Sequence, residues 1–412
     1  MDKIIGCDCG HVIQGETDHE LATNAQAHAR GEHNMEITIE QALALAVRAE
    51  STRAAPDADA TFDEARAEAF VGTVLTNFGA ALAGILTAIG DKLGLFKDLA
   101  ENGAATSREL ADRTGIDERY AREWLAQMLA VGYLERDSAT QRYTLPAEHV
   151  PALAEEGGPV FFGGTHQMLL GIGSALGPLT DAFRSGGGVP QSAYGPDWWD
   201  GMARFTASWF ENLLLPVWIP AMPDVHAKLD AGCLFADVGC GTGLGLVRLA
   251  QAFPNSTFVG YDLFEPWLAR ARTLAKDNGV EDRIRWERRD CSKGLPDRFD
   301  VISTFDVVHD AVDPRGLLRS IRQALASDGI YVCLDVNASP NVEDNAGPLG
   351  TTFYGFSVLY CMTTSLAQGG AGLGTCGFHE ARVNEYCNEA GFSSVRRVPL
   401  ENPLNNLYEV RA

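Results

Sequence analysis

From residue 234 onward, short apolar runs alternate with amphipathic stretches. The runs at 234–239, 257–262, 283–289, 299–305 and 329–335 predict strands, with helical segments between the earlier ones. Strand–helix alternation implies a mostly parallel sheet with right-handed crossovers, hence an α/β fold whose ligands sit beyond the carboxyl ends of the strands. Two further runs, 393–399 and 406–411, have no clear helix between them and predict a terminal antiparallel hairpin.

Upstream, residues from about 62 to 225 read mainly helical. The 63–89 stretch is Ala-rich, apolar and poor in charge, more than one face of a monomer's helix needs. Thr106-Ser-Arg-Glu109 is a capping-box pattern opening a short helix at 107–114. A turn at Gly115, a second helix at 117–131 and a two-stranded wing at 134–145 complete a winged helix-turn-helix. The 161–218 stretch is rich in aromatic residues, most of them expected in the core and a few at a cleft. Residues 51–61 are a linker by composition. Before it, 4–13 alternates around a Cys-Asp-Cys-Gly turn, and Thr17-Asp18 caps a helix towards His33, which predicts a small ββα-like domain. The expected organisation is thus 1–50, a linker at 51–61, a helical winged-helix domain at 62–225 and a catalytic α/β domain at 226–412.

Composition narrows the partners. A formal charge of −22 argues against a nucleic-acid or anionic-membrane surface, because phosphates would be repelled. On the second helix of the winged module, Glu118, Arg119, Arg122 and Glu123 cancel in charge, so dimerisation is expected of this module rather than DNA binding. The apolar runs are read as shorter than a membrane span, the N-terminus does not read as a signal peptide, and nine cysteines in 412 residues do not form a dense disulfide framework. A reducing cytoplasm is the expected compartment.

The first strand ends in Phe235-Ala-Asp-Val-Gly-Cys-Gly-Thr-Gly243, and Asp262 follows about twenty residues on, the dinucleotide-fold spacing of acid and ribose. Asp237 stands two residues before the first glycine, where a pyrophosphate would be repelled. An acid there suits the ammonium and sulfonium of S-adenosylmethionine. Gly239, Gly241 and Gly243 allow a sharp turn and close approach of a ligand. The pattern resembles the first motif of the class I methyltransferases. That resemblance implies a seven-stranded Rossmann-like sheet, Asp262 on the ribose hydroxyls with Leu263 under the adenine, and Asp290 with the Cys291 backbone reading the adenine. Phe305 and Asp306, closing the fourth strand, are assigned to the donor site as well.

In Thr304-Phe-Asp-Val-Val-His-Asp310, directly after the fourth strand, His309 falls beside the expected donor methyl, and the fifth strand ends at Asp335. A histidine is the natural group to take a hydroxyl proton, and a carboxylate on the neighbouring strand would fix its tautomer. The segment resembles the catalytic histidine region of winged-helix small-molecule O-methyltransferases, which implies a homodimer and a small, aromatic or apolar acceptor. In the long 347–377 segment, Tyr354, Tyr360, Met362 and Gln368 are candidates to close over the acceptor, with core packing the default for the first three. The aspartates do not cluster as an oxygen cage, so no divalent metal is expected in transfer. Competing readings are a ligand-responsive DNA-binding regulator and an S-adenosylmethionine-binding protein of C- or N-methylating or non-methylating chemistry.

In the first segment, Cys7, Cys9, His28 and His33 bring two thiols from a hairpin to two imidazoles from a helix, a set suited to structural zinc. One residue separates the cysteines, where two to four is usual, and the same residues would also suit a small core. The segment resembles a small bacterial family of unknown function that shares the C-x-C-G start and H-x₄-H ending.

Overall fold

A computed structural model describes residues 3–7, 11–15, 17–33, 35–44, 47–48 and 62–412. The chain divides into two compact units, 1–75 and 76–412.

In the first unit, β1 (Lys3–Gly6) pairs antiparallel with β2 (Val12–Gly15) and then lies against α1 (Asp18–His33). The helix starts where Thr17 Oγ1 accepts the Glu20 N–H at 3.1 Å, satisfying one of the free N-terminal donors. Leu21, Ala22 and Ala25 of α1 bury against Ile5, Ile13 and Ala42. Two elements were not expected: α2 (Ile39–Ala44), and β3 (Val47–Arg48), which pairs with the other edge of β1. Cys9 lies outside the described residues.

Next comes α3 (Glu64–Lys92), uncharged from Ala69 to Gly90. The sequence reading of no membrane-length apolar stretch is corrected here. An 18-residue window of α3 reaches a mean hydropathy of 1.7, long and apolar enough to span by length and composition, and only 6% of that window is buried. Threonines, Asn77 and glycines interrupt the run, but the apolar residues between them keep the mean high. Within the second unit, Phe78, Leu82, Ile85 and Ile89 form one exposed stripe at helical spacing.

The winged module follows. α4 (Leu95–Asn102), α5 (Ser107–Thr114) and α6 (Glu118–Ala130) precede a two-stranded wing of β4 (Glu135–Arg136) and β5 (Tyr143–Thr144). The capping box at Thr106 and Glu109 is formed in both directions. Phe96, Leu110, Trp124, Leu125 and Met128 make the module's core, and the Trp124 indole N–H donates to the Leu86 carbonyl at 2.9 Å. Arg119 and Arg122 pair with Glu123 and Glu118 on the same helix, so their charges are spent locally.

After α7 (Val150–Leu153), helices α8 (Gly163–Ile172), α9 (Leu176–Ser185) and α10 (Pro196–Trp209) pack beside the sheet domain. α8 and α10 approach closely because Gly164, Gly171 and Gly201 carry no side chain. A Cβ on Gly171 would stand 2.2 Å from the Trp198 backbone nitrogen. α10 runs into a wide π-helical stretch, Phe210–Trp218, that contains Pro216, and α11 (Pro223–Ala231) leads into the sheet.

The sheet strands are β6 (Leu234–Val238), β7 (Thr257–Asp262), β8 (Ile284–Arg288), β9 (Phe299–Phe305), β10 (Leu325–Val336), β11 (Ser394–Arg397) and β12 (Asn405–Arg411). Their spatial order is β11-β12-β10-β9-β6-β7-β8. β6 to β10 are parallel; β12 runs antiparallel to both β10 and β11, which is the expected terminal hairpin. α12 (Leu244–Ala252), α13 (Glu265–Asp277) and α14 (Pro314–Ala324) make the early crossovers. α15 (Gly347–Phe356), α16 (Met362–Leu366) and α17 (Glu380–Ala390) lie between β10 and β11. Two apolar cores, one around Phe235, Leu246 and Phe258 and one around Tyr261, Ile302 and Tyr331, cover the two faces of the sheet. The expected α/β class with a mostly parallel seven-stranded sheet holds. The strand order reverses between β6 and β9, so a crevice opens at their carboxyl ends.

Candidate active site

The turn after β6 is held by backbone. Gly239, Gly241 and Gly243 take φ of 73°, 54° and 75°, a left-handed conformation costly for any residue with a Cβ. A Cβ on Gly243 would also stand 2.3 Å from the Trp286 ring. Asp262 fastens this turn: its carboxylate accepts the Gly241 N–H at 2.9 Å and the Phe264 N–H at 2.8 Å. The acid assigned to ribose therefore also shapes the glycine loop. Asp237 is 3% exposed and accepts the Ser303 hydroxyl at 2.7 Å. Burial pushes its pKa up to about 7, with the Asp262 charge adding to the rise and the Ser303 bond opposing it.

At the end of β8, Asp290 accepts from the Ser292 N–H at 3.1 Å and from its hydroxyl at 2.6 Å, capping the turn Cys291–Lys293. Partial burial raises its pKa, but the bonds from Ser292 and Lys293 outweigh this and hold it below the usual carboxylate range. At the end of β9, Asp306 adopts a φ of 53°, a left-handed conformation that Asp tolerates better than most residues. The Asn405 side-chain amide on β12 donates to both oxygens of Asp306, at 2.8 and 2.9 Å. Burial first, then the neighbouring Asp335, pushes Asp306 up to about 7, while His309 pulls the other way.

His309 sits on a single turn, Val308–Asp310, and is 4% exposed. Its Nδ1 meets Asp335 Oδ1 at 2.7 Å, and the same oxygen accepts the Val336 N–H at 2.8 Å. Asp335 is fully buried, and its Oδ2 has no hydrogen-bond partner among the described residues. Burial works against the charged imidazole, but the Asp335 carboxylate outweighs it and holds the His309 pKa well above the usual histidine value. The sulfur of Cys361 also interacts with the ring.

These groups share one cavity of about 540 Å³. Asp237, Gly239, Gly241, Asp262, Leu263, Asp290, Cys291, Phe305, Asp306 and His309 all line it, whereas Gly243 and Asp335 stand behind the wall. Leu263 is half exposed, an apolar surface offered to the cavity. Among the proposed acceptor-side residues, Tyr360 and Gln368 line the cavity, and Tyr354 and Met362 do not. From the aromatic stretch, Phe205, Trp209 and Phe210 reach it, while Trp198 and Trp218 are core. Sequence reasoning missed Asp310, pushed up to about 6 by burial, and also Asn405, Ser303 and the Gln191 amide that donates to the Tyr360 hydroxyl at 3.1 Å. Asp310 adjoins the histidine and Ser303 adjoins the same segment, so both were within reach; Gln191 and Asn405 are distant in the chain. One donor of each of Asp306, His309 and Asp335 lies within 4.8 Å of the others: the His309–Asp335 pair was expected, and Asp306 joins it.

Residues 80–155 match the Rv2258c-like winged HTH domain, residues 236–331 a methyltransferase domain, and residues 3–50 a protein family of unknown function, DUF1059. The ubiquinone biosynthesis O-methyltransferase of Ruegeria sp. (strain TM1040) is 29% identical over 155 residues, 36% of this chain and 62% of that relative. The match thus spans less than two thirds of that relative's length. The N,N-dimethyltransferase OxyT of Streptomyces rimosus is 29% identical over 265 residues, 60% of this chain and 73% of OxyT. Human N-acetylserotonin methyltransferase in complex with SAM shares the fold, with a TM-score of 0.61 and 18% identity over 85% of this chain and 99% of that one. The chain thus matches a winged-helix domain over residues 80–155 and, downstream of it, a methyltransferase domain over residues 236–331, the latter on a seven-stranded sheet.

Proposed function

We propose that the chain transfers a methyl group from S-adenosylmethionine to the hydroxyl of a small, aromatic or apolar acceptor. The observation that carries this reading is the buried His309–Asp335 pair, 2.7 Å apart, whose histidine lines the same cavity as the glycine turn. The residues present fit the donor. Asp237, Asp306 and Asp310 crowd one cavity with raised pKa values, a strain that a cationic ligand relieves. Asp237 would hold the ammonium end, Asp262 the ribose, Leu263 and Asp290 the adenine, with Cys291, Phe305 and Asp306 completing the site. When bound, S-adenosylmethionine supplies a methyl carbon made electrophilic by its sulfonium.

With Nδ1–H donated to Asp335, His309 keeps Nε2 to receive the acceptor's proton. In the free protein the imidazolium is favoured, because Asp335 stabilises it. Positive charge bound alongside lowers that pKa, which favours the neutral base that transfer needs. Phe205, Trp209, Phe356 and Tyr360 give the acceptor end apolar walls that exclude water. Most of the rate advantage then comes from holding acceptor and donor in position.

An amine acceptor is the second reading, favoured by the similarity to OxyT. The internal pairing of α6 charges supports a winged module without nucleic-acid function, and the exposed stripe of α3 supports a homodimer rather than a membrane anchor. A cytoplasmic location fits this reading.

Calorimetric titration with S-adenosylhomocysteine tests the donor site, and a thermal-shift screen of phenols, hydroxyacids and amines on the loaded protein then finds the acceptor class. Wild-type binding that is lost in Asp262→Ala is expected. A wild type that binds no S-adenosylhomocysteine would refute the reading.

A further inference from the structure

The first unit holds a second site that methyl transfer does not use. Cys7 follows β1, while His28 and His33 stand on the last turns of α1. On a regular helix, side chains five apart diverge, but His33 is the terminal residue of α1, and its ring nitrogen still meets that of His28. The Cys7 sulfur lies 3.1 Å from His33 Nε2, and His33 Nε2 lies 3.3 Å from His28 Nε2. All three donor atoms fall within 4.8 Å of one another. His11 stacks on His28, ring centroids 4.8 Å apart and planes 10° from parallel, which fixes the orientation of that ring.

A chain of ordinary hydrogen bonds accounts poorly for this arrangement. One imidazole nitrogen has a single in-plane bonding direction, yet a sulfur and a second nitrogen both converge on His33 Nε2. A central ion serves all three donors at once. Tetrahedral zinc bonded at about 2.0–2.1 Å to two imidazole nitrogens sets them about 3.3 Å apart, and a thiolate at about 2.3 Å lies roughly 3.5 Å from each. The observed nitrogen spacing matches, and the sulfur lies within a few tenths of an ångström of the required distance from His33 and within 4.8 Å of His28.

We propose that Cys7, His28 and His33 bind one zinc-class divalent ion, which ties the hairpin to the end of α1. Mixed thiolate and imidazole donors select a borderline or soft metal over magnesium or calcium. The unit also has a physical need for a staple. Its buried core is Ile5, Ile13, Leu21 and three alanines, and a domain of this size with so small a core is marginal without a cross-link or metal. The site is independent of the methyl-transfer reading, so either can fail alone.

The test uses the full-length, untagged protein after dialysis against a chelating resin. Elemental analysis is expected to find close to one zinc per wild-type chain and a loss of at least about tenfold in His28→Ala/His33→Ala, with S-adenosylhomocysteine affinity unchanged in both. Cobalt-exchanged wild type is expected to show thiolate-to-metal charge-transfer absorption, a signature that mere packing of Cys7 does not produce. Wild type holding less than about a tenth of a metal per chain, equal metal in the double variant, or cobalt protein without the thiolate band would each overturn the proposal.

Discussion

At the residue scale, the chemistry rests on acids kept partly protonated by burial. Asp237 has a folded pKa of about 7 against an ordinary value of 3.8, so it gains its charge only as pH rises towards neutrality. Affinity for a ligand cation should therefore rise with pH across that range, because binding favours the ionised form. Titration of wild type with S-adenosylmethionine at pH 6 and pH 8 should show tighter binding at the higher pH. Asp237→Asn should bind more weakly and lose part of that dependence, with Asp306 and Asp310 carrying the rest; an unchanged profile would remove Asp237 from the site. Asp335→Asn removes the acceptor of the Nδ1 proton while keeping the size of the side chain. It should lower the turnover rate by about 10²-fold or more with little change in donor affinity. The same residues show what the sequence could and could not yield. Asp237, Asp262 and His309 lie at or just past strand ends, the first beside the glycine turn, so local pattern exposes them. Asn405 clamps Asp306 across 99 residues of chain, and Cys361 reaches His309 from another segment; such contacts exist only once the sheet has closed.

At the element scale, the strands were legible because each is a short apolar run bounded by turn residues. β7 and β9 fall at the expected bounds, and the others differ at one or both ends. β10 starts four residues early, where Leu325 already pairs with Phe299 before an irregularity in the ladder. The acceptor side was harder to read, since helical periodicity does not distinguish a wall of a cavity from a core, and Pro216 inside a π-helical stretch has no local signature. The glycines give this scale its test. Gly243→Ala combines a φ of 75° with a Cβ 2.3 Å from Trp286. A left-handed alanine costs about 1–2 kcal/mol and overpacking about 1–3 kcal/mol more. The variant should lose at least about tenfold in S-adenosylhomocysteine affinity by calorimetry, because a shift of the ring or the turn deforms the donor site. Wild-type affinity would show that the turn does not set the site.

For the whole molecule, the exposed stripe of α3 is the feature most at odds with a monomer in water. Phe78 and Ile85 are 61% and 42% exposed in the isolated chain. Light scattering should give a dimer for wild type, and Phe78→Glu/Ile85→Glu should shift it to monomer. A monomeric wild type would contradict that assembly. The two proposed metal and methyl-transfer sites also separate by experiment: treatment with a chelator should strip the N-terminal ion and leave methyl transfer within about twofold, since no oxygen-rich metal cage is proposed for the reaction. The most direct test of the methyl-transfer account is the rate of labelled methyl transfer by His309→Ala to an acceptor identified by the screen, with donor affinity measured on the same sample. The account predicts a fall of about 10²–10⁴-fold with affinity for S-adenosylmethionine within about threefold of wild type. Transfer at the wild-type rate would contradict it.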